Sequence, residues 1–232
     1  MSAIAERVSS TRSRLQAAEQ RFGRPAGSVT LLAVSKRQPA SALRAAHAAG
    51  LRRFGENYLS EALGKQAQLR DLDLEWHYIG PIQSNKTKDI ALNFDWVHTL
   101  DRLKVARRLS EQRPPGRAPL QVCLQVNISG EASKSGCSPR DTLALAHAIA
   151  ALPRLRLRGL MCIPAPDSDF SRQRAAFARL AALQAHCRET GLALDTLSMG
   201  MSGDLEAAVA EGCTLVRIGT ALFGPREQGE HA

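Results

Sequence analysis

Lys36 closes the run VTLLAVSK at residues 29–36, and a lysine in that place has a definite chemistry open to it. Residues 29–34 are all apolar or β-branched, too few for a comfortable helix and too uniformly apolar for an exposed edge, so they read as a strand covered on both faces. An amine held at the C-terminal end of such a strand and kept from water becomes a nucleophile toward a carbonyl. The same place also suits a lysine that simply reaches solvent.

Further polar residues fall at the ends of later apolar runs: Asn57, His77, Asn127, Ser198 with Ser202, and Arg217 with Thr220. Two groups stand out. SMGMSGD at 198–204 and RIGT at 217–220 each bring glycine and a hydroxyl to the start of an expected helix, the combination that holds a phosphate through backbone N–H groups. Glycines used only for turns and caps would give the same letters. By alternation Arg217 shares a face with Leu215 and Gly219, so it enters a strand and must find an acceptor there, either a ligand atom or a carboxylate such as Asp204 or Glu56. His77 suits a general base or a packed core histidine, and no serine or cysteine is placed by spacing to complete a triad with it. Lys86 in QSNK and Lys134 in GEASKSG suit an anion site or a solvated surface.

These residues need a scaffold that gathers distant strand ends, and the chain describes one. Strands are expected at 29–34, 51–56, 74–80, 95–100, 120–128, 155–163, 196–201 and 215–219. Helices are expected at 39–49, 61–72, 84–92, 102–111, 139–152, 170–190 and 204–211, so every strand but the last is followed by one. In front, Ile4, Val8, Leu15 and Phe22 make a helical stripe within 1–24. Strict alternation argues for parallel strands with right-handed crossovers, and eight such units in 232 residues argue for a closed (β/α)8 barrel with an extra N-terminal helix. An open doubly wound sheet is the alternative, and the first strand is not followed by the GxGxxG of a dinucleotide site. The whole of 1–232 is expected to be a single barrel domain, with 225–232 as a flexible tail.

Composition narrows the setting. No run of about eighteen apolar residues exists, which argues against a membrane span. The N-terminus lacks the apolar region of a secretory signal. Five well-separated cysteines suggest neither a disulfide framework nor a zinc site, and a reducing cytoplasm fits them best. The net charge of +9 comes from arginines spread over helices, and aromatic residues make up only 4% of the chain. Solvated helix faces explain that pattern better than a nucleic-acid surface does.

A lysine ending strand one, a phosphate cradle after strands seven and eight and an arginine placed to face a ring nitrogen together suggest pyridoxal 5'-phosphate, PLP. The motifs AVSK (33–36), FGENY (54–58), HYIGPIQSNK (77–86), VNISGEASKSG (126–136), GLMCIP (159–164), SMGMSGD (198–204) and RIGTALFG (217–224) closely resemble those of the pyridoxal phosphate homeostasis proteins, relatives of the barrel domain of alanine racemase. The resemblance runs from strand one to strand eight. It implies that Lys36 forms a covalent aldimine with PLP, that Ser202, Gly219 and Thr220 hold the phosphate, and that Arg217 faces the pyridine nitrogen. Asn57, His77 and Met199 would line the pocket.

Members of the family bind PLP without an established catalytic activity and influence the vitamin B6 pool, so the resemblance implies storage, buffering or delivery of the cofactor. Expected partners are PLP and PLP-dependent apoenzymes, with no nucleic acid and no membrane, for a cytoplasmic monomer. One departure is plain: a lysine frequent in the family two positions after the Schiff-base lysine is Gln38 here, leaving Lys134 or Lys86 as candidates for a second site.

An arginine at the ring nitrogen does not readily give up its proton, so the ring is a poor electron sink, which favours a carrier over an enzyme. The chain also ends soon after strand eight, where racemases continue into a β-domain carrying the second acid or base. Two other readings remain open: a one-domain amino-acid racemase using His77 or Tyr58, and a class I aldolase using Lys36 on a sugar phosphate.

Overall fold

A computed structural model describes residues 2–131 and 134–224; the expected tail at 225–232 lies outside the described residues. The chain opens with α1 (Ala3–Arg21), followed by β1 (Thr30–Val34), α2 (Ala40–Ala48), β2 (Arg53–Glu56), α3 (Leu59–Gln68) and β3 (Glu75–Tyr78). A 3₁₀ turn at Ser84–Lys86 leads into α4 (Thr87–Asn93), β4 (Trp96–Leu100), α5 (Leu103–Gln112) and β5 (Leu120–Gln125). The second half continues as α6 (Thr142–Ala150), β6 (Leu155–Met161), α7 (Phe170–Glu189), β7 (Thr196–Ser198), α8 (Leu205–Ala210), β8 (Leu215–Ile218) and α9 (Thr220–Phe223).

The strands close in sequence order, and β8 returns to pair in parallel with β1, where Leu32 lies opposite Arg217. The (β/α)8 barrel with an added N-terminal helix is therefore the fold. One expectation changes: β8 is also followed by a helix, the short α9. Four strands, β3, β5, β6 and β7, stop two or three residues before the apolar run does, because the ladder ends where the backbone bends toward the barrel mouth. Lys36, Asn57 and Ser202 sit in the loops beyond their strands, and Thr220 opens α9.

Two layers of side chains hold the barrel. Outside the sheet, Phe54, Phe94, Leu109, Leu124, Phe177 and Val216 belong to one continuous buried cluster between strands and helices. Inside, Leu32, Cys123, Met161 and Leu215 are buried apart from that cluster. Strand alternation produces both layers from one sequence, sending successive residues to opposite faces.

Helix α1 is more than a preface. Ser2 caps it by accepting from the Ala5 N–H, and its stripe of Val8, Thr11, Leu15 and Ala18 is buried against the barrel. Buried Glu19 receives the backbone N–H groups of Gly27 and Val29 at 2.9 and 2.8 Å, so the end of α1 sets the entry into β1.

Candidate functional site

At the C-terminal ends of the strands a cavity of about 300 Å³ opens, lined by Lys36, Asn57, Ser202, Arg217, Gly219 and Thr220 among others. This volume is at the lower end of what small-molecule sites occupy. Six of the eight expected site residues thus meet at one place. His77 and Met199 do not. Ser198 points into the barrel, so Met199 points out, and it is fully buried in the cluster under the helices. His77 does point inward, but Ile79, two residues further along the same face, takes the level of the cavity wall. The His77 ring lies below, at the opening on the N-terminal side of the barrel.

Lys36 stands in a turn two residues past β1. Arg37 next to it has φ of +61°, a left-handed conformation that costs a non-glycine residue about 1 kcal/mol or more. Neighbouring contacts compensate. The Arg37 N–H donates to Glu61, Glu61 pairs with Lys65, and the Lys65 ammonium also donates to the Ser35 carbonyl and to Glu56 Oε1, both at 2.7 Å. Ser35 Oγ adds a bond of 2.6 Å to the same Glu56 oxygen. Residues on both sides of Lys36 are therefore clamped to one buried ionic cluster on β2 and α3. Burial raises the Glu56 carboxyl above its ordinary pKa, against the pull of Lys65 and Ser35.

Across the cavity, the 201–204 loop and the start of α9 form the glycine-rich wall. A Cβ on Gly203 would meet nothing within 4 Å, whereas one on Gly219 would press on the Val34 carbonyl at 3.3 Å. The loop is held from behind by α1: Arg14 donates to the Ser202 carbonyl at 2.9 Å and forms a two-pronged pair with Glu206 at 2.6 Å. Arg7 donates to the Phe223 carbonyl at 3.1 Å and so holds the end of α9. No motif pointed to Arg7 or Arg14, because their partners lie about two hundred residues away in the sequence.

Arg217 is 4% exposed, and neither of the carboxylates weighed for it is its hydrogen-bond partner. Its guanidinium donates to Ser198 Oγ and to the Cys162 carbonyl, each at 2.8 Å. Asp204 acts on it only at longer range, and its own carboxyl is raised by burial. Asn57 Oδ1 is buried on the cavity side of β2 with no hydrogen-bond partner among the described residues. Such an atom costs free energy unless a ligand donor satisfies it. The backbone of Asn57 is held close by Gly80, where an added Cβ would fall 2.1 Å from the Asn57 carbonyl oxygen.

Of the candidates for a second site, Lys86 is exposed at the end of the 3₁₀ turn, and Lys134 lies 3.2 Å from Glu131. Neither lines the cavity, whereas Gln38 does. An amine, an arginine and a hydroxyl-and-glycine wall supply donors and the Asn57 amide oxygen an acceptor, a set suited to an anionic, carbonyl-bearing molecule.

The model of the alanine racemase N-terminal domain matches residues 8–227. A pyridoxal phosphate homeostasis protein of Pseudomonas aeruginosa is 64% identical over 232 residues, with both chains covered in full. The chain belongs to the pyridoxal phosphate homeostasis protein family. Its Escherichia coli member is 50% identical over 98% of both chains. Among solved structures, PipY of Synechococcus elongatus with PLP bound superposes with a TM-score of 0.83 at 41% identity, over 95% of this chain and 100% of that one. Alanine racemase from Corynebacterium glutamicum, 21% identical, shares the fold at a TM-score of 0.68, and 63% of it is covered.

Proposed function

We propose that this chain binds PLP in the mouth cavity and serves intracellular PLP homeostasis by storing, buffering or delivering it. The observation that carries the reading is that Lys36 and Arg217 open onto one cavity together with an Asn57 oxygen that has no partner among the described residues. The PLP-bound relative PipY and the 64% identical pyridoxal phosphate homeostasis protein of Pseudomonas aeruginosa support it. When bound, PLP supplies an aldehyde that an amine can capture and a ring that can draw electrons from what is attached. Lys36 would be that amine, held in register by the Ser35–Glu56–Lys65–Glu61 cluster. Ser202, Gly219 and Thr220 would take the phosphate, Arg217 the ring nitrogen, and Asn57 a donor on the ligand.

An enzymatic reading needs a second acid or base facing the ligand. His77 is at the other end of the barrel, and Tyr58 does not line the cavity but turns to Arg37 at 3.3 Å. The non-catalytic reading is therefore the one adopted, with PLP-dependent apoenzymes as recipients of the cofactor. Borohydride reduction of protein incubated with PLP, followed by peptide mass analysis, is expected to place a pyridoxyl group on Lys36. No adduct there, or an adduct unaffected by Lys36→Ala, would overturn the assignment.

A further inference from the structure

A line of buried hydrogen bonds runs down the barrel interior from Arg217 toward the opposite opening. Arg217 Nη1 meets Ser198 Oγ at 2.8 Å, and Ser198 Oγ meets His98 Nδ1 at 2.8 Å. His98 Nε2 meets His77 Nδ1 at 2.8 Å, and His77 Nε2 meets Glu75 Oε1 at 2.7 Å. Ser198, His98 and His77 are fully buried, while Glu75 is half-buried at the far opening, where Arg53 also reaches it at 3.2 Å.

The two ends decide where every proton sits. A guanidinium only donates, so the Ser198 oxygen accepts from Arg217 and keeps its own hydrogen to offer His98 Nδ1. An ionised carboxylate only accepts, so His77 carries its hydrogen on Nε2 and offers Nδ1 to His98. The carboxylate end requires, and the arginine end satisfies, one arrangement, in which each imidazole is neutral and protonated on Nε2. A proton added at His77 Nδ1 would make His98 accept on Nε2 and donate from Nδ1. Ser198 would then receive two donors and lose the acceptor for its own hydrogen.

The charged groups around the pair agree with this arrangement. Burial keeps His77 below its ordinary pKa of 6.5, against the pull of Glu75 and Asp95 and with a smaller push from Arg53. His98 is held well below 6.5 by burial, with His77 and Arg217 adding to the effect. The remaining charges at the far opening, Arg158 and Asp195, are paired with each other at 2.6 Å, and Arg156 stands at the rim.

We propose that Glu75, His77, His98 and Ser198 are positioning residues for Arg217, a one-directional line that fixes its guanidinium toward the ring of the ligand in the mouth cavity. The proposal rests on the PLP reading for its ligand and on the interior geometry for its line. A change at Glu75, outside the cavity and on the other side of the barrel, is then felt at the ligand through His77, His98 and Ser198. Glu75→Gln keeps an acceptor for the His77 N–H, and Glu75→Leu removes it.

Two measurements test this. Long-range nitrogen–proton spectra of histidine-labelled protein without ligand are expected to show both rings neutral and protonated on Nε2, down to pH values below 6.5. A His98 ring protonated on Nδ1 would overturn the line. Absorbance titration with PLP is then expected to show Glu75→Leu binding roughly tenfold more weakly than wild type, and Glu75→Gln within about twofold of it. Equal losses in the two variants, or no loss in either, would overturn the positioning role. Failure of the PLP reading is distinguishable: wild type would then show no adduct on Lys36, the ligand half would fall with it, and the tautomers alone would judge the line.

Discussion

Lys36 owes its position to side chains that never enter the cavity. Glu56 is fully buried and Lys65 is 5% exposed, and the carboxylate and ammonium meet at 2.7 Å beneath the Lys36 turn. Removing one partner of such a pair leaves a charge in the interior, a cost of about 3 kcal/mol or more. Lys65→Met is therefore expected to lower the free energy of unfolding in urea by about that amount, and a Lys65→Met/Glu56→Gln double variant to recover much of it. Full additivity of the two single changes would show that the cluster does not act as a unit. The left-handed Arg37 points the same way, since its N–H is tied to Glu61 of that cluster.

Two contacts between elements shape the cavity walls. Gly80, just past β3, lies against the Asn57 backbone so closely that an alanine methyl would overlap its carbonyl oxygen. Gly80→Ala is expected to displace the Asn57 loop, lowering the melting temperature by several degrees and weakening PLP binding together. Unchanged binding would show that Asn57 is not part of the site. On the opposite wall, α1 grips the 202–206 segment through Arg14, whose pair with Glu206 is about one-third exposed. Screening limits that pair to about 1 kcal/mol or less. Arg14→Ala is accordingly expected to cost little stability yet weaken PLP binding a few-fold in titration, because the Ser202 carbonyl loses its anchor.

Across the whole molecule, the buried titratable groups set the response to acid. His77 and His98 have folded-state pKa values lowered from 6.5, so the unfolded chain takes up their protons first. Their contribution to stability is present above 6.5 and is lost as the pH falls from there toward their folded values. Glu56 and Asp204 have raised pKa values, so the folded chain takes up their protons first and they oppose that trend. Melting temperature is expected to fall as the pH drops from 6.5 to 4.5, and to fall more steeply in Glu56→Gln, where a group whose pKa is raised from 4.5 is gone. A parallel decline in both proteins would show that Glu56 does not titrate in that window.

The alternation of apolar runs determined the barrel, because each strand must be covered on both faces and each crossover must return in the same direction. Lys36, Asn57, Ser202, Arg217, Gly219 and Thr220 were legible for the same reason: strand ends in such a barrel share one mouth. Depth within the barrel was not legible. His77 and Ile79 carry the same inward parity, and only the stagger of the closed sheet decides which of them reaches the cavity. Met199, which the resemblance put at the pocket, lies in the cluster under the helices, because Ser198 points inward and its neighbour therefore outward. Arg14 with Ser202, Lys65 with Glu56, and His98 with Ser198 and His77 join residues that only the closed tertiary structure brings within hydrogen-bond reach. Local pattern records which face a residue takes, whereas its partner across the barrel depends on where the whole chain returns.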